Sequence, residues 1–158
     1  MDVGVIFLEF QRNEGGKLMI TVKCKLLHQD ANLPTKVYES DSCFDLYSVE
    51  KKVISPHCYG EINLGIAVEL PPGYGMFLRA RSSQGKNGIQ IHCGTVDQEF
   101  RGQLSVYVYN HSSRNYKVSV GDRVAQAFIE PIQKIRFEEV ESLSKSKRGE
   151  KGFGSSGK

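Results

Sequence analysis

The sequence predicts an all-β fold, a sandwich or a barrel, and three observations carry that prediction. Strand-sized apolar or alternating runs recur along the chain, with turn residues roughly every 8–12 positions. Residues 103–110 alternate strictly, with Leu104, Val106 and Val108 on one face and Ser105, Tyr107 and Tyr109 on the other. No long stretch repeats at helical spacing.

Taken in order, residues 18–27 alternate from Ile20 onward and form the first strand candidate. A second runs over 61–70 and ends at the turn cluster Pro71-Pro72-Gly73-Tyr74-Gly75. Residues 76–80 follow at once, as a hairpin partner would. After 103–110, residues 116–120 and 123–129 complete the series, separated by Gly121-Asp122. A short helical turn is expected within 133–143.

The chain reads as four parts. Residues 1–18 are an N-terminal extension with a soft joint at Gln11-Arg12-Asn13-Glu14-Gly15-Gly16, either an added edge strand or, as we expect, flexible. Residues 19–137 form the β core, 138–147 a charged, Ser-rich linker with little to bury, and 148–158 a mobile glycine-rich arm.

At 158 residues, 25% charged and 39% hydrophobic, the sequence describes a single globular domain. A formal charge of +3 lacks the dense basic face of a nucleic-acid binder, so no direct nucleic-acid partner is expected. No apolar run approaches the ~20 residues of a membrane span. The opening Met1-Asp2-Val3-Gly4-Val5-Ile6-Phe7-Leu8 has no positive n-region or small-residue cleavage site, so no signal peptide is expected. Cys24, Cys43, Cys58 and Cys93 form no C-x-x-C pair and read as buried free thiols in a reducing cytoplasm. The histidines at 28, 57, 92 and 111 lack ligand spacing.

Chemistry concentrates in three loops and the tail. Asp45 lies among apolar neighbours in Ser42-Cys43-Phe44-Asp45-Leu46-Tyr47-Ser48; it suits a hard cation, held directly or through water, or a turn cap, the reading favoured without context. Arg79-Ala80-Arg81-Ser82-Ser83-Gln84-Gly85-Lys86-Asn87-Gly88 combines guanidinium forks, hydroxyls and backbone donors suited to a triphosphate, or is a solvated basic loop. In residues 89–102, whose apolar start leads into the acidic turn Asp97-Gln98-Glu99-Phe100-Arg101-Gly102, Asp97 can deprotonate a water and Phe100 can lie against a sugar; a surface turn with a buried aromatic plug is the alternative. The tail offers Arg148 to phosphate and Phe153 to a base, with glycines that free backbone N–H groups. Gly152 to Lys158 reads G-x-x-x-x-G-K, but no Ser or Thr and no helix follow, so the P-loop reading fails.

These segments, in this order, resemble the five motifs of the trimeric dUTPase family over about residues 20–158: 42–48, 80–88, 94–102, Gly121-Asp122-Arg123-Val124-Ala125-Gln126, and the tail from Arg148. The resemblance implies a distorted jelly-roll β-barrel or sandwich, a homotrimer with shared active sites, and hydrolysis of dUTP to dUMP and pyrophosphate. It implies Asp97 as general base, and Arg81, Ser82, Ser83 and Gln126 on the phosphates. Asp45 would reach Mg²⁺ through its water shell. Backbone groups at Cys93 and Gly94 would read uracil, and Phe100 would pack beneath the deoxyribose. Arg148 would clamp the γ-phosphate, Phe153 would cover the base, and Gly154, Ser155 and Ser156 would wrap the phosphates. A cytoplasmic location is expected, or the host cytoplasm or nucleus if the source is viral.

The chain departs from the family pattern at Phe100, usually Tyr; at Ser42-Cys43, commonly Ala-Gly; at Lys151, commonly Gly; and at His92, often a small or amide residue. The alternatives are a dCTP deaminase of the same fold and a dUTPase-like regulatory binding protein.

Overall fold

The computed structural model describes residues 11–12, 18–92 and 94–152. The short strands β1 (Gln11–Arg12) and β2 (Leu18–Met19) pair with each other. Then follow β3 (Lys23–Leu26), β4 (Phe44–Tyr47), β5 (Lys52–Ile54), β6 (Tyr59–Asn63), β7 (Ile66–Glu69) and β8 (Tyr74–Arg79). A five-residue helix α1 (Ser82–Lys86) precedes β9 (Ile89–Ile91), β10 (Gly94–Val96), β11 (Ser105–Asn110), β12 (Tyr116–Val118) and β13 (Arg123–Pro131).

The largest sheet has the order β10-β8-β13-β4, and a three-stranded sheet has the order β6-β11-β9. Two-stranded ladders β12-β5 and β3-β7 complete the walls. Every pairing is antiparallel. Leu46, Leu78, Val124 and Ala127 from the large sheet meet Ile62, Ile91, Val106 and Val108 from the other in one core. Each of the Leu, Ile and Val side chains contributes about 1.5–3 kcal/mol by leaving water, and the Ala127 methyl less. The alternation expected in 103–110 holds: Val106 and Val108 are buried while Tyr107 faces solvent. This is the all-β, distorted jelly-roll architecture the sequence leads one to expect.

Five local expectations are corrected. The strand expected over 18–27 is two, β2 and β3, which join different ladders. The thiols are not buried as expected: Cys24 and Cys43 are half-buried and Cys58 is exposed. The single strand over 61–70 is two, β6 and β7, broken at Leu64-Gly65. Gly65 takes φ +63°, and a Cβ there would lie 2.6 Å from Val49 Cγ1, so only glycine fits the bend. The hairpin expected between 61–70 and 76–80 does not form, because β7 pairs with β3 and β8 pairs with β13. The Pro71-Pro72-Gly73 turn carries the chain from one sheet to the other, anchored by Ile132 N–H donating to the Gly73 carbonyl at 2.7 Å.

The helical turn expected in 133–143 is absent; that stretch has neither helix nor strand. Its apolar side chains find no surface in a single chain, with Phe137 98% and Leu143 87% exposed. A short helix without packing is marginal in water. The one helix among the described residues is instead α1, in the segment read as a basic loop.

Candidate active site

Asp45 sits on β4 directly opposite Gln126 of β13, inside a strand rather than capping a turn. Its carboxylate is only 13% exposed and takes two guanidinium groups. Arg81 Nε donates to Oδ1 at 2.7 Å, and Arg123 Nη1 donates to Oδ2 at 3.1 Å. Charge-assisted bonds of this kind stabilise a carboxylate that partial burial would otherwise penalise. Gln126 Nε2 donates to the Ala80 carbonyl at 3.0 Å, which ties β13 to the start of the helical segment. Asp45, Arg81 and Gln126 line one pocket of about 430 Å³, with Ser42, Cys43 and Tyr38 on its rim.

A bulge makes this cluster possible. Arg123 and Gln126 are three residues apart, so strict alternation would send them to opposite faces. The β13–β4 register slips between Arg123 and Ala125, pairing Arg123 with Tyr47 and Gln126 with Asp45. Tyr47 and Asp45 share a face, and the bulge therefore brings Arg123 onto it.

Ser82 and Ser83 open α1 and are exposed. The first N–H groups of any helix lack intrahelical partners, which leaves donors free beside Arg81. Gln84 locks this turn. Its side chain is buried; Oε1 accepts from Arg81 N–H at 2.9 Å, and Nε2 donates to the Val124 carbonyl at 2.7 Å and to Tyr116 Oη at 3.2 Å.

Asp97 follows β10, is exposed, and lines a separate groove of about 920 Å³ with Thr95, Phe77 and Lys134. The turn beyond it is held by Phe100 N–H donating to the Asp97 carbonyl at 3.1 Å, and by Arg101 Nη1 donating to the Gln98 carbonyl at 2.6 Å. Phe100 is 45% exposed, and its ring lies over Gly102, where a Cβ would come within 2.5 Å of Cζ. Gly94 is paired with Leu78 across the β10–β8 ladder. His92 N–H donates to the Tyr107 carbonyl at 2.8 Å, and its ring lies 5.2 Å from that of Tyr59.

One chain thus gathers Asp45, Arg81, Arg123 and Gln126, with Ser82 and Ser83 adjoining, whereas Asp97 lines a different pocket from theirs. Arg148 is bound within its own arm, donating to the carbonyls of Lys151 at 2.9 Å and Gly152 at 3.1 Å. Cys93, Phe153, Gly154, Ser155 and Ser156 lie outside the described residues. Sequence reasoning gave no site role to Arg123 or Gln84. Arg123 lies in the Gly121–Gln126 motif and could have been flagged there; nothing local marks Gln84 as buried.

The dUTPase family profile matches residues 29–157, nearly the whole chain after the N-terminal extension and β3. The chain belongs to the dUTPase family. It is 42% identical over 141 residues to the deoxyuridine 5'-triphosphate nucleotidohydrolase of Clostridium tetani, covering 87% of this chain and 97% of that one. The Helicobacter pylori enzyme of the same name is 39% identical, with 86% and 96% covered. Among solved structures, the dUTPase of Staphylococcus bacteriophage 80alpha with dUpNHpp superposes with a TM-score of 0.81 at 30% identity, over 87% of this chain and 98% of that one. Within this dUTPase-family chain, the segments that gather at the 430 Å³ pocket and the Asp97 groove all fall inside the matched residues.

Proposed function

We propose that this chain hydrolyses dUTP to dUMP and pyrophosphate, limiting uracil in DNA and supplying dUMP for thymidylate synthesis. The observation that carries the reading is the pairing of Arg81 and Arg123 with Asp45 beside a pocket that Asp45, Arg81 and Gln126 line, in a chain of this family. Asp97 takes the proton of a water that attacks the α-phosphorus. The bond from that phosphorus to the bridging oxygen breaks, and its electron pair leaves with pyrophosphate. Arg81, Arg123 and the Ser82 and Ser83 donors hold the phosphate oxygens as negative charge moves toward the leaving group. Backbone groups around Cys93 and Gly94 read uracil, Phe100 packs beneath the deoxyribose, and Arg148, Phe153, Gly154, Ser155 and Ser156 close over the nucleotide.

Mg²⁺ fits this donor set as an ion carried by the substrate. Among the described residues no group of three His, Cys, Asp or Glu side chains is placed to hold a metal directly. Each Asp45 oxygen already accepts one guanidinium bond, and a carboxylate oxygen keeps a second lone pair free for a metal-bound water. When bound, the ion would neutralise part of the triphosphate charge.

The separation of Asp97 from the phosphate pocket supports a homotrimer with shared sites, Asp97 and the base reader coming from one subunit and the phosphate pocket from another. The exposed apolar residues Ile135, Phe137 and Leu143 fit contacts with neighbouring subunits. Subunit mixing tests this directly. Asp97→Asn and Arg81→Ala chains, each inactive alone, regain dUTP hydrolysis when unfolded together and reassembled. Sites built within one chain would stay inactive in every mixture.

A further inference from the structure

Between the β3–β7 ladder and the large sheet lies an apolar groove of about 420 Å³. Ile20, Val22 and Cys24 line it from the segment that leads into β3, and Phe44, Met76 and Ile129 line it from β4, β8 and β13. No charged side chain lines it, and its Met19, Ile20 and Leu33 stay exposed. Among the described residues β3 pairs with β7 alone, so its other edge has no strand beside it. An open strand edge next to exposed apolar side chains is a template for pairing with another extended segment.

We infer that the chain covers this groove with its own N-terminal segment: residues 6–10, which lie outside the described residues, continue β1 as a strand antiparallel to residues 20–24 and bury Ile6, Leu8 and Phe10. The register of β1 on β2 points there. Gln11 is opposite Met19 and Arg12 opposite Leu18, in an antiparallel pair. Carried toward the N-terminus, that register sets Phe10 opposite Ile20, Leu8 opposite Val22 and Ile6 opposite Cys24. No turn or bend separates β2 from β3 along the facing stretch. Directly opposed residues of an antiparallel pair share a face. Ile20, Val22 and Cys24 line the groove, whereas Thr21 and Lys23 between them do not. The covering segment suits that face, because Ile6, Leu8 and Phe10 are all large and apolar and its one charged residue, Glu9, falls on the other. A slip of one residue would turn Glu9 onto an apolar wall, where an unpaired carboxylate is costly. No linker is needed to reach the groove, since Met19, the partner of Gln11, already lines it. Of the two readings of the N-terminal extension, edge strand and flexible tail, the register selects the first for residues 6–10.

Two measurements on the full chain test this. The sequence has no tryptophan, so Phe10→Trp introduces a single fluorescent reporter. Its emission is blue-shifted in the folded protein and moves to the red on unfolding, and acrylamide quenches it several-fold less before unfolding than after. Ile6→Cys stands directly opposite native Cys24, within reach of a disulfide. Mild oxidation closes a bond between positions 6 and 24 within one chain, located by peptide mapping, whereas Val5→Cys, one residue out of register, leaves Cys24 uncaptured. An indole that emits as it does in water overturns the inference, and so does equal capture of Cys24 from positions 5 and 6. A bond between positions 6 and 24 that forms only between chains overturns it in favour of a second copy. The rival occupant, residues 135–143 of a neighbouring subunit, would leave the indole wet and Cys24 uncaptured, which also overturns it.

Discussion

Replacing Gln84 by leucine is the sharpest test of how the phosphate pocket is held in shape. The side chain is 6% exposed and makes three hydrogen bonds, to Arg81 N–H, the Val124 carbonyl and Tyr116 Oη. Leucine fills a similar volume and removes all three. Two main-chain groups are then stranded, each at about 1–3 kcal/mol, and the better burial of leucine offsets part of that. The net expected loss is about 2–4 kcal/mol, seen as a melting point lower by roughly 5–15 °C.

A second effect separates positioning from mere stability. Arg81 and Arg123 flank the two backbone groups that Gln84 ties together, so losing the tie loosens both guanidinium groups. Affinity for dUpNHpp should fall about tenfold while affinity for dUMP changes little, since the lost precision lies at the outer phosphates. Gln84→Glu gives an internal control. At neutral pH its carboxylate still accepts from Arg81 N–H but faces the Val124 carbonyl with a lone pair. Its folded pKa is therefore raised, and the stability tied to the protonated form is full below about 4.3 and lost as pH rises. Its melting point should recover on acidification relative to wild type at the same pH. Calorimetry and equilibrium binding read both effects. A leucine variant with unchanged melting point and an equal change for dUpNHpp and dUMP would refute the reasoning.

Two further outcomes follow from the same geometry. Burial raises the Tyr116 phenol above its ordinary 10.0, the bond from Gln84 and the Arg81 charge pulling it down and the Asp122 charge pushing it up. The neutral phenol is the form the fold prefers, so its contribution is complete below pH 10 and is lost as pH rises through the folded value. Denaturant titrations of wild type and Tyr116→Phe should therefore show a wild-type stability decline above pH 10 that is shallower in the variant; parallel curves would contradict this. Gly102→Ala should displace the Phe100 ring, since a Cβ there would lie 2.5 Å from Cζ. We expect a melting point within a few degrees of wild type, because the ring is half exposed, together with a reduced preference for dUTP over UTP. An unchanged preference would place the sugar elsewhere.

Strands with a buried and a wet face were legible in the sequence because period two is a local property. Residues 103–110 show this most plainly, and β11 keeps the expected faces. Gly65 was less legible, since one glycine in an apolar run does not announce that Val49 blocks a Cβ from 16 positions away. The hairpin expected between 61–70 and 76–80 failed for a similar reason: a Pro-Pro-Gly turn marks a reversal without saying which sheet receives the next strand.

At the site, Asp45 and Arg81 were singled out by residue type and Gln126 by the family resemblance alone, and all three line one pocket. Arg123 was not, because its arrival beside Asp45 depends on a bulge that reverses the facing set by alternation. Gln84 escaped notice because a polar residue in a basic stretch reads as solvated, and its burial depends on Val124 and Tyr116, 40 and 32 residues away.

The measurement that bears most directly on the central claim is pyrophosphate release from dUTP, dCTP, dTTP and UTP, with ammonia assayed in parallel. The account predicts turnover of dUTP about two orders of magnitude or more above the others. Cytosine reverses the hydrogen-bonding pattern of uracil at two positions, and a packed sugar face excludes the ribose hydroxyl. Ammonia released from dCTP, or comparable rates for dUTP and UTP, would contradict it.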